Sequence, residues 1–416
     1  MKSQSFLALS LAMLMCCSCR EAQPEDQGNS SGKTTQTQIT QLTKSQKEFV
    51  ESNNAFAITL FREINNIYAG KNVLYSPFSI ESVLSMLLNG TEGDTFSQIQ
   101  AALSYEKHSV EEINELYAAI ESILKQSGSS VRYLNANALW SNNMSPKENY
   151  IKTLKTYYDS ELFYIDFSST DAPVTINNWC SEQTEGMIDS IIDDLDPNDR
   201  FVFLNALFFE GSWRKKFDKS KTEESPFYNI NGNASAMQFM HMDSDFSSTD
   251  IDGDKVCILP FGTGDYKFVI FLPSEEKDYQ EFLSSFDEKQ YKILLDALKI
   301  HNVNLSLPKI KIECELSDVL SRSLKALGIT DAFDINSADF SKMLDEKTSL
   351  GIIKQKACFQ MNEEGAKVAS ATMAGDAGED SFEDPEIMEF NANRPFLFII
   401  NERITGTILL MGSFVS

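Results

Sequence analysis

The apolar residues of this chain follow a helical period first and a strand period later. Five early apolar residues lie seven, four, four and three positions apart, on one face of a helix: Phe49, Phe56, Leu60, Ile64 and Ile67. Pro77 interrupts the chain before a second apolar helix over 80–88, which Asn89 and Gly90 end. The pattern predicts further helices over 110–126 and 147–158.

The second half of the chain carries the strand pattern. Short runs rich in aromatic and branched residues predict strands over 134–140, 201–209, 256–259 and 267–272. Apolar residues alternate over 303–307, Pro308 interrupts them, and the alternation resumes at 310–312. Two apolar runs, 396–400 and 407–411, flank a turn and predict a terminal hairpin. Without a repeat or a second linker, these elements predict one α+β domain over residues 45–416.

The first 44 residues follow neither period. Lys2, a short apolar run over 6–15 and then small or thiol residues indicate an export signal over residues 1–19. The segment 16–19 (CCSC) resembles a bacterial lipoprotein box with Cys19 as the lipidated residue; Cys17 and a plain cleaved signal remain alternatives. Residues 20–44 read as a disordered linker. We expect an exported protein, lipid-anchored to the bacterial outer membrane or cell surface, or secreted.

Composition narrows the possible functions. The net charge of −25 over 416 residues argues against a nucleic-acid partner and against an anionic membrane surface, so we expect membrane contact only through the lipid anchor. With three histidines and no H-E-x-x-H or G-x-S-x-G motif, a metal site or a Ser-His-Asp triad is not indicated. The four cysteines of the body stand singly and predict buried thiols: Cys180, Cys257, Cys314 and Cys358. We therefore expect no cofactor and no metal, although a carboxylate-based enzyme stays open on composition alone.

Several segments resemble the motifs of one family, the serpins, in the same order and at comparable spacings. They are 72–80 (NVLYSPFSI), 88–95 (LNGTEGDT), 178–186 (NWCSEQTEG), 204–218 (LNALFFEGSWRKKFD), 307–309 (LPK), 327–333 (LGITDAF), 362–365 (NEEG) and 393–398 (NRPFLF). The resemblance implies about nine helices, three β-sheets and a mobile reactive-centre loop over about 364–390. It also implies a monomer that is not an enzyme but a suicide substrate for a serine or cysteine protease. In such an inhibitor the cleaved loop inserts into the main sheet and holds the protease as a covalent acyl-enzyme.

The resemblance assigns a hinge to the start of this loop. The hinge residues are Glu364, Gly365, Ala366, Lys367, Val368, Ala369, Ser370, Ala371 and Thr372. Alternate side chains of an inserted strand face inward, and here these are small or β-branched: Ala366, Val368, Ser370 and Thr372. Lys367 faces outward. Inhibitory members usually carry Thr or Ser in place of Ala366 and Ala in place of Val368, but both replacements keep uncharged side chains that a sheet accepts.

Five further residues match the positions where the main sheet of the family parts. Ser76, Ser79 and Asn205 correspond to the shutter, and Trp213 to the aromatic residue at the top of the sheet, where insertion begins. Gln355 stands where the family often has His. Small hydroxyl and amide groups suit a switch because they can exchange hydrogen-bond partners between a closed and an open sheet.

Counting from Gly365 as the first of fifteen positions places the reactive bond between Glu379 and Asp380. Phe382 and Ala377 are alternatives, because the loop is longer than is typical. Residues 374–389 carry seven acids, and no base occurs between Lys367 and Arg394. This charge favours a protease with a basic cleft or one that cuts after acids. A non-inhibitory serpin-fold surface lipoprotein that binds a host or bacterial partner is the alternative function.

Overall fold

The computed structural model describes residues 41–127, 131–366 and 387–415, all within one compact unit. The helices of the described residues are α1 Lys44–Ile67, α2 Pro77–Leu88, α3 Gly93–Ala102, α4 Val110–Gln126, α5 Glu148–Tyr157, α6 Ala172–Gln183, α7 Tyr279–Ser285, α8 Glu288–Asp296 and α9 Asp318–Ala326. Local capping explains several of the starts. Thr43 and Ser109 form capping boxes with Gln46 and Glu112, and Ser76 caps α2, whose first residue is proline.

The strands run between and after these helices. They are β1 Val73–Tyr75, β2 Val131–Asn142, β3 Glu161–Ile165, β4 Phe201–Ser212, β5 Glu223–Tyr228, β6 Ala234–Ile251, β7 Asp254–Phe261, β8 Tyr266–Leu272, β9 Lys299–Pro308, β10 Ile310–Leu316, β11 Ile352–Ile353, β12 Gln355–Asn362, β13 Gly365–Ala366, β14 Met388–Asn391, β15 Phe396–Glu402 and β16 Ile408–Phe414.

The strands form two hydrogen-bonded sheets in the described chain. Sheet I has the order β10-β12-β13-β4-β2-β3, with β11 beside β4. Sheet II has the order β1-β16-β15-β8-β7-β6-β9-β14, with β5 on β6. The long strand β6 pairs with β9 over most of its length and with β7 at its end, so it joins two parts of sheet II. The described residues therefore contain nine helices and two hydrogen-bonded sheets, and the expected α+β architecture is confirmed.

Strand β4 is covered on both faces, because its side chains alternate between two apolar clusters. Phe201, Phe203 and Phe209 face the main core, which also contains α1 and α2. Val202 and Leu204 face a smaller cluster built around α6. A strand buried on both faces is held in place by packing as well as by its ladder.

The structure confirms the elements that were predicted from a clear hydrophobic period. It also contains further elements that the pattern did not predict. The helix predicted over 110–126 has those ends, and the apolar helix predicted over 80–88 begins three residues earlier, at Pro77. Helices α6 to α9 and the long strand β6 did not follow from the pattern, since β6 carries mostly polar and small residues. None of the helices in the described ranges is both long and apolar enough to cross a membrane.

Candidate functional site

Strand β4 is paired along one edge and only at the two ends of the other. Strand β2 pairs with it continuously from Phe201 to Gly211. On the opposite edge, β11 pairs with Val202 and Phe203 at one end, and β13 pairs with Gly211 and Ser212 at the other. Between these ends the described residues form no ladder from β4 to β12, although β12 is the next long strand. The middle of sheet I is therefore a cleft.

The cleft has apolar walls and a polar floor. Its lining includes Leu207 and Phe209 of β4 and Ala357 and Phe359 of β12, with Ser76, Asn205 and Gln355 at the lower end and Ala366 at the upper end. A strand with an unpaired edge on each side of a gap offers backbone donors and acceptors to a further strand. The facing edges of β4 and β12 therefore carry unpaired backbone groups over the middle of sheet I.

The chain after β12 enters this cleft from above. It turns at Glu363 and Glu364, and then Gly365 and Ala366 lie between β12 and β4, antiparallel to both. Gly365 has φ +152°, and a Cβ there would overlap the carbonyl oxygen of Gly211. Only glycine allows the backbone to approach so closely. Ala366 is 1% exposed, so the first inward position of the predicted hinge is already buried.

Two acids anchor the turn that precedes the hinge. The Glu364 carboxylate lies 2.7 Å from Lys216 Nζ and 2.8 Å from Lys219 Nζ, and hydrogen bonds from these ammonium groups lower its pKa to about 2. Glu363 lies 2.7 Å from Lys309 Nζ and accepts a hydrogen bond from Thr222 Oγ1. The turn is thus held by charge to the segment that follows β4 and to the start of β10.

Trp213 closes the top of the cleft. Its indole Nε1 donates to the carbonyl oxygen of Asn362 at 2.8 Å, and its backbone N–H donates to that of Glu364 at 2.9 Å. Its ring stacks on Phe261 with a centroid separation of 4.6 Å and is 3% exposed. Trp213 therefore lies at the upper end of sheet I, where its packed ring and its two hydrogen bonds hold the turn that precedes the hinge.

Gln355 binds the start of α2 to β12 with two hydrogen bonds. Its Oε1 accepts from the Ser76 backbone N–H at 2.9 Å, and its Nε2 donates to the Ser76 carbonyl oxygen at 3.0 Å. The Ser76 Oγ accepts from the Ser79 N–H and from the Ser79 hydroxyl. Ser76, Ser79 and Gln355 therefore form one cluster, in which the glutamine amide satisfies both backbone groups of Ser76.

Asn205 belongs to a second polar cluster on the wall of the cleft. Its Nδ2 donates to Asn135 Oδ1 at 2.6 Å and to Asn137 Oδ1 at 2.8 Å, while Ser82 Oγ of α2 donates to Asn137 Oδ1 at 3.1 Å. The Oδ1 of Asn205 is buried and has no hydrogen-bond partner among the described residues. A buried acceptor without a donor lowers the stability of the fold, so a donor that reached Asn205 Oδ1 would be stabilising.

The structure brings together most of the predicted residues that it describes. Ala366 and three of the shutter residues line the same cleft, namely Ser76, Asn205 and Gln355, while Gly365 and Trp213 lie at its upper end. The remaining predicted positions lie outside the described residues: Cys19, Lys367, Val368, Ala369, Ser370, Ala371, Thr372, Glu379 and Asp380.

The sequence did not indicate Lys216, Lys219, Asn135 or Asn137. Asn135 and Asn137 stand two residues apart in a predicted strand, which places both amides on one face. That spacing was a usable signal. The two lysines gave none, because their partner Glu364 is 145 or more residues away in the chain.

Comparisons with known proteins agree with this architecture. The family model described as Serpin (serine protease inhibitor) matches residues 51–416. Human leukocyte elastase inhibitor is 31% identical over 391 residues, covering 89% of this chain and 100% of that protein.

Two solved structures extend the likeness to three dimensions. The thermophilic serpin tengpin in its native state has a TM-score of 0.81 at 27% identity, covering 91% of this chain and 95% of that one. Human thyroxine-binding globulin complexed with thyroxine also has a TM-score of 0.81, at 26% identity, covering 89% of this chain and 99% of that one. The chain belongs to the serpin family.

Proposed function

We propose that this serpin inhibits a serine or cysteine protease as a suicide substrate whose cleaved loop inserts into the cleft between β4 and β12. The observation that carries the proposal is the hinge: Gly365 and Ala366 already pair with both walls at the upper end. An inserted strand would complete sheet I from that point downward.

The register of the hinge indicates which side chains an inserted loop brings to each wall. Ala366 lies opposite Gly211 and Met361, both on the core-facing side. Continuing the same antiparallel register by two residues brings Val368 between Phe209 and Phe359. All inward side chains down to Thr372 are uncharged, so insertion buries no ion in the core.

The same register brings Thr372 between Asn205 and Gln355. A threonine hydroxyl is a hydrogen-bond donor, and Asn205 Oδ1 is the buried acceptor that lacks one. Lys367 would lie on the opposite face beside Glu210, where its charge has a partner. Insertion in this register would therefore give the buried Asn205 Oδ1 the donor that it lacks among the described residues.

The expected driving force is large enough to make the reaction one-way. About a dozen new backbone hydrogen bonds at about 1 kcal/mol each give a net gain on the order of 10 kcal/mol. The folding free energy of a whole domain is about 5–15 kcal/mol. The free energy released by loop insertion is therefore comparable to the folding free energy of a domain. A gain of that size is what a protein needs if proteolysis is to release strain stored in its native state.

The chemical step is supplied by the protease. Its nucleophilic oxygen or sulfur attacks the carbonyl carbon of Glu379, the Glu379–Asp380 bond breaks, and the amine of Asp380 leaves with a proton. The Glu379 acyl group then remains on the protease as an ester or thioester. Seven acids in residues 374–389 favour a target with a basic cleft or one that cuts after acids.

Incubation with a panel of serine and cysteine proteases tests the proposal. We expect a denaturant-resistant complex with at least one active protease and none with the same protease after its nucleophile is blocked. N-terminal sequencing of the released fragment should begin at Asp380; a start at another residue moves the reactive bond. Cleaved protein should melt at a much higher temperature than intact protein. Cleavage without a complex and without a gain in melting temperature would support the non-inhibitory alternative.

We also propose that the N-terminal segment directs export and lipidation at Cys19. The support is the CCSC segment after a short apolar run. Growth with a labelled fatty acid should label the wild-type protein and leave Cys19→Ala unlabelled. Persistent labelling of Cys19→Ala that disappears in Cys17→Ala would reassign the residue.

A further inference from the structure

Helix α2 buries a carboxyl group that belongs to neither the hinge nor the shutter. Glu81 lies one turn into the helix and is 2% exposed. Its Oε2 has no hydrogen-bond partner among the described residues, and one turn later the Oγ of Ser85 is also buried without one. Every residue of α2 is buried, so a rotation of the helix cannot bring the carboxyl to water.

No charged group acts on Glu81, and the hydroxyls of its two titratable neighbours are already used in other hydrogen bonds. The titratable neighbours are Tyr75 of β1 and Tyr105, which precedes α4. Tyr75 donates its hydroxyl to the carbonyl oxygen of Ala57, and Tyr105 donates to Asn53 Oδ1. Burial alone raises the pKa of Glu81 to about 8, and no lysine, arginine or histidine of the described chain acts on it.

The same helix forms the lower end of the cleft. Its cap, Ser76, is bound to Gln355 of β12, and Ser82 is bound to Asn137 of β2. These contacts lie on either side of Glu81 in the sequence. A displacement of α2 that gives the carboxyl access to water must therefore disturb its bond to β12 and its bond to Asn137 of β2, which in turn accepts from Asn205 of β4.

We propose that protonation of Glu81 controls the position of α2 on sheet I. The neutral acid keeps α2 seated against the sheet, whereas ionisation displaces α2 and opens the cleft without proteolysis. The structural part of this inference stands on the burial of Glu81. Its consequence for loop insertion rests on the proposed function.

The direction of the pH dependence follows from proton binding. The folded carboxyl keeps its proton up to a pH of about 8, while the unfolded chain loses it at a pH of about 4.5. Between these values only the folded state holds the proton, so stability falls as the pH rises. The folding equilibrium constant should fall by up to tenfold per pH unit over this window and level off above it.

Glu81→Gln removes this dependence while keeping the shape of the side chain. In urea unfolding of the full chain, the free energy of unfolding of Glu81→Gln should increase relative to that of wild type as the pH rises from 5 to 9. Glu115→Gln, at an exposed position of α4, should follow wild type at every pH. Other buried acids, such as Glu121, affect both chains equally and cancel in the difference. Parallel pH curves for Glu81→Gln and wild type would overturn the inference.

Two further measurements keep the test independent of the variant and of inhibition. An NMR titration of carbon-13-labelled glutamate in the wild-type protein should show one carboxyl that ionises near pH 8; a value below 6 for Glu81 would overturn the inference. Uncleaved wild type held at pH 9 should convert to a form with a higher melting temperature faster than at pH 6, and Glu81→Gln should not. If no such form appears while the unfolding data agree, the loop-insertion step fails and the proton-dependent seating of α2 stands.

Discussion

Strands β15 and β4 lie at the centres of their sheets, but they are paired in opposite ways. Strand β15 pairs with β16 on one edge and with β8 on the other, and all seven of its residues are buried. In the described chain, β4 pairs fully with β2 but touches only β11 and β13, two residues each, on its other edge. The comparison shows that one molecule combines a closed ladder, which holds the fold together, with an incomplete one, whose edge has no partner strand over its middle part in the described chain.

The amino acids at the two places reflect this difference. At β15, Phe398 packs on Phe268 and Phe359, and Gly412 on β16 leaves room for its ring. At the lower end of the cleft, by contrast, amide and hydroxyl side chains line the gap, and one buried acceptor has no donor among the described residues. Close apolar packing favours a single arrangement, whereas polar groups with alternative partners permit two.

The largest effect should follow from a charge at the first inward position of the hinge. Ala366→Arg would bring a guanidinium into the core-facing side of sheet I and so forfeit an insertion energy on the order of 10 kcal/mol. We expect cleavage without a trapped complex and without the gain in melting temperature. Lys367→Arg is the matched control, since we expect position 367 to face outward in an inserted strand. Equal trapping by Ala366→Arg and Lys367→Arg would contradict insertion in this register.

The closed ladder should respond through stability instead of trapping. Phe398→Ala removes a fully buried ring and should lower the free energy of unfolding by about 3–5 kcal/mol. Ile300→Ala, at a side chain that is 69% exposed, should change it by less than about 0.5 kcal/mol. Urea titration at neutral pH measures both. A small loss for Phe398→Ala would show that the β15 region is less tightly packed than its geometry indicates.

The shutter should show an intermediate effect. Gln355→Ala leaves the buried N–H of Ser76 without its partner, at a cost of about 1–3 kcal/mol, while the Ser76 carbonyl keeps only the bond from the Ile80 N–H. Gln360→Ala, on the exposed face of the same strand, should be nearly neutral. The comparison of interest is the rate at which uncleaved protein loses inhibitory activity on warming. That rate should rise for Gln355→Ala, and unchanged rates would mean that the Gln355–Ser76 bonds do not restrain the cleft.

The smallest effect should come from the ion pairs at the turn. Glu364→Gln removes the charge that binds Lys216 and Lys219, and because these lysines are largely solvated the loss should stay below about 1 kcal/mol. The pKa of Glu364 is lowered to about 2, so its contribution is present above a pH of about 4.5 and is lost as the pH falls toward 2. Melting curves at pH 7 and pH 3 should differ less for Glu364→Gln than for wild type. If the two proteins showed the same difference between pH 7 and pH 3, the ion pairs of Glu364 would not stabilise the turn.

The sequence predicted more residues of the cleft than hydrophobic spacing alone could have indicated. The reason is that several motifs of the family contain residues that lie at the cleft. Gly365, Trp213, Ser76 and Gln355 were all predicted, and the structure brings them to the same gap. The ion pairs of Glu364 were not predictable, since charged side chains meet there across a separation that no local pattern records. The need of Asn205 for a donor was likewise hidden, because satisfaction of a buried atom depends on all its neighbours.

By itself, the sequence determined the period of the main elements, the order of the family motifs and the uncharged inward side of the hinge. These are local properties, set by side-chain spacing and by the chemistry of each residue. Only the tertiary structure decided that β4 keeps an open edge, that two lysines bind the turn, and that Glu81 is buried where no lysine, arginine or histidine of the described chain acts on it. Pairing and burial arise from residues far apart in the chain, so no segment carries them alone.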